Sequence, residues 1–212
     1  MYLVKEIFYS IQGEGYYAGR PAVFCRFAGC NLWSGKEEDR GAALCKFCDT
    51  DFVGVDGTEG GKYQNATRLA KKIRQFWPHK DVKAAKPFVV CTGGEPLLQL
   101  DAVLVTALHE EGLEIAVETN GTIAVPEGIG WICVSPKAGV ELLQICGDEL
   151  KLVYPQPGAE PERYANLDFR HFYLQPLDGP ELEANTKLVL EYCLVHPQWR
   201  LSLQFHKILK VR

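Results

Sequence analysis

Four short apolar runs in this chain break off into polar motifs of one character. Residues 87–91 (P-F-V-V-C) lead into T-G-G-E-P, and residues 114–117 lead into E-T-N-G. Residues 131–134 (W-I-C-V) lead into S-P-K, and residues 172–174 into Q-P-L-D. Runs this short, bounded by Gly, Pro and Asn, read as buried strands. Further strands are expected at 21–28, 150–154 and 201–205, with residues 3–20 leading into the first. Helices are expected at 97–111, stopped by Gly112, and at 180–194. Another starts at an Asn65 cap and runs to about Phe76, with Leu69, Ile73 and Phe76 on one face and Pro78 beyond. Residues 52–64, with Gly54, Gly57, Gly60 and Gly61, read as a flexible segment.

Strands that alternate with helices or crossovers argue for an α/β protein with a mainly parallel sheet. About six strands are too few for a closed eight-fold barrel, so an open, partial TIM-like barrel is expected. The 212 residues fit one domain spanning 1–212. In such sheets ligand-binding groups gather at the carboxyl ends of the strands, where the four motifs fall.

Between the first two expected strands lies a cysteine loop, part of an expanded segment at 28–50. Cys30, Cys45 and Cys48 are spaced C-x14-C-x2-C, with Phe47 inside the tight pair. A C-x2-C turn puts two thiolates on one side of a loop, and no fourth cysteine is near. Closed structural zinc sites use four ligands. A cubane iron–sulfur cluster held by three leaves one iron open. Spacing alone leaves open both the cluster and a zinc knuckle with a distant fourth ligand. The middle of the loop, residues 34–41 (S-G-K-E-E-D-R-G), is polar and aperiodic and reads as an exposed insertion. Cys25, Cys91, Cys133, Cys146 and Cys193 sit among apolar residues and read as buried free thiols.

A net charge of -4 without a basic run argues against a nucleic-acid or membrane surface. No apolar stretch is long enough for a membrane span or a leader, so a reducing cytoplasm is expected. Two further features stand out. Q-G-E-G at 12–15 is a tight turn that lets backbone approach a ligand. Arg26 interrupts an apolar strand and needs a partner, either an ion pair or a ligand carboxylate.

The cysteine loop followed by G-G-E-P resembles the radical S-adenosylmethionine superfamily. F-Y-S-I-Q-G-E-G-Y-Y-A-G-R-P-A-V-F-C-R-F-A-G-C, together with C-K-F-C-D-T-D-F, is more specific. These stretches resemble the 7-carboxy-7-deazaguanine synthase family, in which the first cysteine gap is expanded, and the likeness covers essentially the whole chain. The resemblance implies conversion of 6-carboxy-5,6,7,8-tetrahydropterin to 7-carboxy-7-deazaguanine and ammonia, towards queuosine and other deazapurines. It implies a [4Fe-4S] cluster on Cys30, Cys45 and Cys48, and Mg²⁺ at Thr50. S-adenosylmethionine would lie against Phe47, Cys48, Asp49, Gly93, Gly94, Ser135, Pro136, Lys137, Gln175, Pro176, Leu177 and Asp178. The pterin would meet Ile11, Gln12, Gly13, Arg26, Thr92 and Arg212, with Glu14 a further candidate and His206 either polar lining or core. An electron donor such as flavodoxin or ferredoxin, and a homodimer, are also implied. The rival readings are an activating enzyme for a glycyl-radical protein and a non-catalytic zinc-binding module.

Overall fold

The computed structural model of the chain describes residues 1–78 and 85–212. Among these residues the sheet has nine strands, where about six were expected. They are β1 (Tyr2–Ile11), β2 (Pro21–Phe27), β3 (Gly61–Tyr63), β4 (Phe88–Gly93), β5 (Glu114–Thr119), β6 (Trp131–Val134), β7 (Cys146–Tyr154), β8 (Asp168–Pro176) and β9 (Trp199–Leu201). Their order is β3-β1-β2-β4-β5-β6-β7-β8-β9, so β3 and β9 are edges and the sheet is open. From β2 to β9 every neighbouring pair is parallel, while β1 runs antiparallel to β2 and β3. The open, mainly parallel α/β sheet agrees with expectation.

The additional strands have physical reasons for having been missed. β1 buries Tyr2, Val4, Ile7 and Phe8, but a register shift between Val4 and Glu6 breaks its two-residue alternation. β3 has only three residues, behind a pair of glycines. The last strand lies at Trp199–Leu201 rather than 201–205, because Trp199 is the residue that buries its ring. Phe205 instead opens a short helix, α4 (Phe205–Leu209), and its N–H donates to the Gly13 carbonyl at 2.9 Å.

Helix α1 (Ala66–Gln75) begins at Asn65, whose side chain accepts from the Arg68 N–H at 2.9 Å. The helix expected at 97–111 is two elements: a 3-10 turn at Pro96–Leu98 and α2 (Ala102–Glu110). Asp101 separates them by capping α2, accepting from the Leu104 N–H at 2.9 Å. Helix α3 (Leu182–Val195) lies close to its expected range.

Two apolar clusters hold the layers together. Ile7, Phe27, Phe88 and Ile115 of the sheet pack with Leu69 and Ile73 of α1 and Leu104 and Leu108 of α2. Leu150, Leu152 and Leu174 pack with Val189 of α3 and with Trp199. Each fully buried side chain of this size contributes about 1.5–3 kcal/mol. Cys25, Cys91 and Cys133 are buried as expected, but Cys193 is only half-buried and Cys146, opening β7, is exposed. No helix among the described residues is long and apolar enough to cross a membrane.

Candidate active site

Parallel register sends the carboxyl ends of β2, β4, β5, β6, β7 and β8 to one rim, and the polar motifs meet there. Gly93 at the end of β4 has φ +140°, and a Cβ on it would fall 2.2 Å from the Phe27 carbonyl oxygen. A Cβ on Gly94 would fall 2.2 Å from the Gly29 carbonyl oxygen. The T-G-G-E turn therefore lies directly against the chain entering the cysteine loop, and only glycine permits that approach.

Glu95 then fastens this junction. Its N–H donates to Gly29 at 2.9 Å. Its fully buried carboxylate accepts from the Leu97 N–H at 3.0 Å, the Thr119 hydroxyl at 2.8 Å and the Asn120 N–H at 2.8 Å. Burial pushes the Glu95 carboxyl up, and these hydrogen bonds oppose it. The Asn120 amide donates to Asn31 at 3.0 Å, so E-T-N-G braces the residue after Cys30.

A cavity of about 200 Å³ opens beside the loop. Cys30, Cys45, Phe47, Cys48, Asp49 and Thr50 line one side, and Gly93 and Gly94 its floor. Ser135, Lys137, Gln175, Pro176, Leu177 and Asp178 also line it, with Glu118, Lys151 and Gln204. Pro136 is buried and not among the lining residues; its carbonyl accepts from Gln156. Burial pushes the Cys30 and Cys48 thiols up. Among the described residues no three His, Cys, Asp or Glu side chains close on a point tightly enough to hold a single metal ion.

Lys137 holds its ammonium on the Ser135 carbonyl at 2.6 Å and hydroxyl at 2.7 Å, 6.0 Å from the centre of the Phe47 ring. Among the described residues no carboxylate pairs with it. Burial pulls its pKa down, and the nearby Cys45 and Cys48 oppose that.

A second cavity, about 270 Å³, shares Glu14, Asp49, Thr50, Thr92, Glu118 and Gln204 with the first. Ile11, Gln12, Gly13, Arg26, Thr92 and Arg212, the residues expected around a pterin, all line it, with His206. Its two ends differ in charge. At one end Arg26 donates to Glu6 at 2.9 Å and Arg212 donates to the other oxygen of the same carboxylate at 3.0 Å. Two guanidiniums on one carboxylate leave a net positive end.

At the other end the Lys151 ammonium bridges Glu14 at 2.6 Å and Glu118 at 2.7 Å, and Gln12 donates to Glu118 at 3.0 Å. Two carboxylates on one ammonium leave this end net negative. Burial alone would raise the Glu14 pKa; the charge and hydrogen bond of Lys151, with Gln204, outweigh it and hold the group down at about 2. His206 packs against Gly13, where any Cβ would meet its Nδ1, and burial draws the imidazole towards neutrality. Across the mouth, Lys207 pairs with both Asp49 and Asp178.

No family model matches the chain. It is 60% identical over 208 residues to 7-carboxy-7-deazaguanine synthase of Caulobacter vibrioides, covering 98% of each protein. It is 61% identical over 211 residues to 7-carboxy-7-deazaguanine synthase of Bradyrhizobium diazoefficiens, covering 100% of this chain and 99% of the relative. The chain belongs to the 7-carboxy-7-deazaguanine synthase family. A crystal structure of QueE from Escherichia coli superposes with a TM-score of 0.72 at 26% identity, covering 97% of this chain and 94% of that one.

Among the polar cavity residues of this family member that were not expected as site residues are Glu118, Lys151 and Gln204. Glu118 and Lys151 stand inside the apolar strands β5 and β7, as Arg26 does in β2. A charge interrupting a buried strand is the signal that finds Glu118 and Lys151, but not the neutral Gln204 that precedes α4.

Proposed function

We propose that the chain is a radical S-adenosylmethionine enzyme that turns 6-carboxy-5,6,7,8-tetrahydropterin into 7-carboxy-7-deazaguanine and ammonia. The observation that carries the reading is the pairing of two cavities across one wall. A three-thiol cavity adjoins one with a positive and a negative end, and Thr50 belongs to both. Cys30, Cys45 and Cys48 would hold a [4Fe-4S] cluster, since three thiols without a fourth leave one iron open for a ligand. When bound, the cluster and S-adenosylmethionine supply the one-electron chemistry.

The chain's own residues bind and orient. Lys137, a partly buried cation with no carboxylate partner among the described residues, offers its charge to the cofactor's carboxylate, beside Gly94 and Ser135. Phe47, Cys48 and Asp49 on one side, and Gln175, Pro176, Leu177 and Asp178 on the other, bound the remainder of that cavity. Pro136 acts from behind it. Thr50 offers a hard hydroxyl oxygen for Mg²⁺, with the substrate carboxylate and water completing the shell.

In the second cavity Arg26 and Arg212 face the pterin carboxylate, while Glu118, Glu14 and Gln12 accept from the guanidine-like edge. Ile11, Gly13 and Thr92 shape the space between. A one-electron donor of the flavodoxin or ferredoxin kind, a cytoplasmic location and one radical S-adenosylmethionine domain over 1–212 complete the proposal. A homodimer is also part of it, supported by the exposed Leu188, Leu190, Leu194 and Val195 of α3.

The test is anaerobic purification, then incubation of the reduced protein with S-adenosylmethionine, Mg²⁺ and 6-carboxytetrahydropterin. A brown protein with about four irons per chain is expected, with 7-carboxy-7-deazaguanine detected by mass spectrometry. A loaded protein that yields none overturns the reaction.

A further inference from the structure

The insertion at 34–41 is polar and mostly exposed, as expected, but one of its side chains turns back. Lys36 and Glu38 leave 64% and 75% of their side chains in solvent, whereas Arg40 leaves 27%. Its guanidinium lies 4.0 Å from the centre of the buried Trp33 ring. From there one nitrogen, Nη1, donates to the Lys46 carbonyl at 2.9 Å and the Cys48 carbonyl at 3.2 Å. The other two nitrogens are held by the Glu37 carboxylate. Trp33 is itself fixed, its indole N–H donating to Lys36 at 3.1 Å and its ring meeting Phe52 edge-on at 5.6 Å.

We infer that Arg40 is a positioning residue for the C-K-F-C turn, clamping both ends of the K-F-C segment from beneath and setting a positive charge beside the thiols of Cys45 and Cys48. This rests on the reading of Cys30, Cys45 and Cys48 as cluster ligands. A rigid, planar fork stacked on an indole holds two carbonyls in fixed relation, which a lysine ammonium on a flexible stem does not. Groups that orient metal ligands from outside tune both the retention and the potential of the centre. The guanidinium offsets the Glu37 carboxylate beside it, so its removal leaves a net negative charge near the cluster and disfavours the reduced, more negative state.

The test compares reconstituted wild-type holoenzyme with R40Q and R40K. It reads iron release to a chelator, the EPR spectrum of the reduced cluster and its midpoint potential. R40Q is expected to release iron about tenfold faster, as loss of a charge-assisted hydrogen bond would predict, with a more negative midpoint and a changed EPR spectrum. R40K, which keeps the charge and loses the fork, is expected to recover the potential but not the slow release. R40Q with wild-type release and spectrum overturns the inference. So does R40K with wild-type release, which decides the matter alone should R40Q fail to fold. A wild-type protein that takes up zinc and no cluster overturns the ligand assignment itself, and the clamp with it.

Discussion

The two cavities share a wall but are built differently. The second draws charged groups from strands: Arg26 from β2 and Glu118 from β5, the latter held by Lys151 of β7, and each is fixed in register by its neighbours. Those charges find partners within the chain. The first leans on a loop in which the Leu44 and Cys45 N–H groups both donate to one carbonyl, that of Leu32, at 3.1 and 3.3 Å. Burial pushes its Cys30 and Cys48 thiols up, and no carboxylate among the described residues pairs with its lysine. The strand-built side holds each of these charges in an ion pair without a ligand, while its two ends stay oppositely charged. On the proposed reading, pterin recognition is thus preorganised by the fold, while the cofactor side depends on what it binds.

The sharpest attack on this contrast is Cys48→Ala. Cluster and turnover should vanish while circular dichroism and cooperative unfolding persist; loss of the fold would mean that the loop supports the sheet. Next comes Lys151→Met, which strands Glu14 and Glu118 together. Breaking a buried ion pair costs about 3–5 kcal/mol, read as a fall in urea midpoint, with turnover lost. Unchanged stability would remove the bracing attributed to the strand side.

Glu149 tests the same side from below. Its Oε2 accepts from the Tyr16 N–H at 3.1 Å, its Oε1 meets no hydrogen-bond partner by geometry among the described residues, and burial raises its pKa from 4.5 to about 7 despite Lys151 and Cys133 nearby. A raised carboxyl contributes stability that is fully present below its unfolded pKa and is lost as pH rises through the folded one. Wild-type stability should therefore fall between about pH 4.5 and 7. Glu149→Gln, neutral throughout, should gain on the order of 3 kcal/mol over wild type above pH 7 and converge with it below pH 5. Parallel stability profiles would show the group to be ionised without penalty.

Thr50→Ala should retain the cluster but require about tenfold more Mg²⁺ for half-maximal turnover; an unchanged requirement takes Thr50 out of the shared wall. Smallest of all, Asn65→Ala removes the α1 cap and should cost about 1 kcal/mol. Turnover should not move, since neither cavity includes α1.

The contrast also explains what the sequence disclosed. β4, β5 and β6 were legible because each is an apolar run ended by a polar motif. β1 was not, because its bulge puts Lys5 and Glu6 out of phase with its apolar residues. α4 was not, because its position depends on Gly13, far away in the chain. On the loop side, cysteine spacing and the family resemblance gave every lining residue that was expected except Pro136, which stands behind the wall. On the strand side, the convergence of Glu14, Glu118 and Lys151 was invisible, since it depends on which strands adjoin. Arg40 was hidden in a polar run whose residues look equivalent until one is found stacked on Trp33.

The Lys207 bridge between Asp49 and Asp178 gives the first cavity a fastener made of charge and half open to water. Dissolved ions weaken such a fastener far more than they weaken the buried Lys151 bridge. Exchange of small molecules through that mouth should therefore quicken as salt is added, while the grip on the far side of the wall stays the same. The two halves of the site can accordingly be timed independently by ionic strength alone.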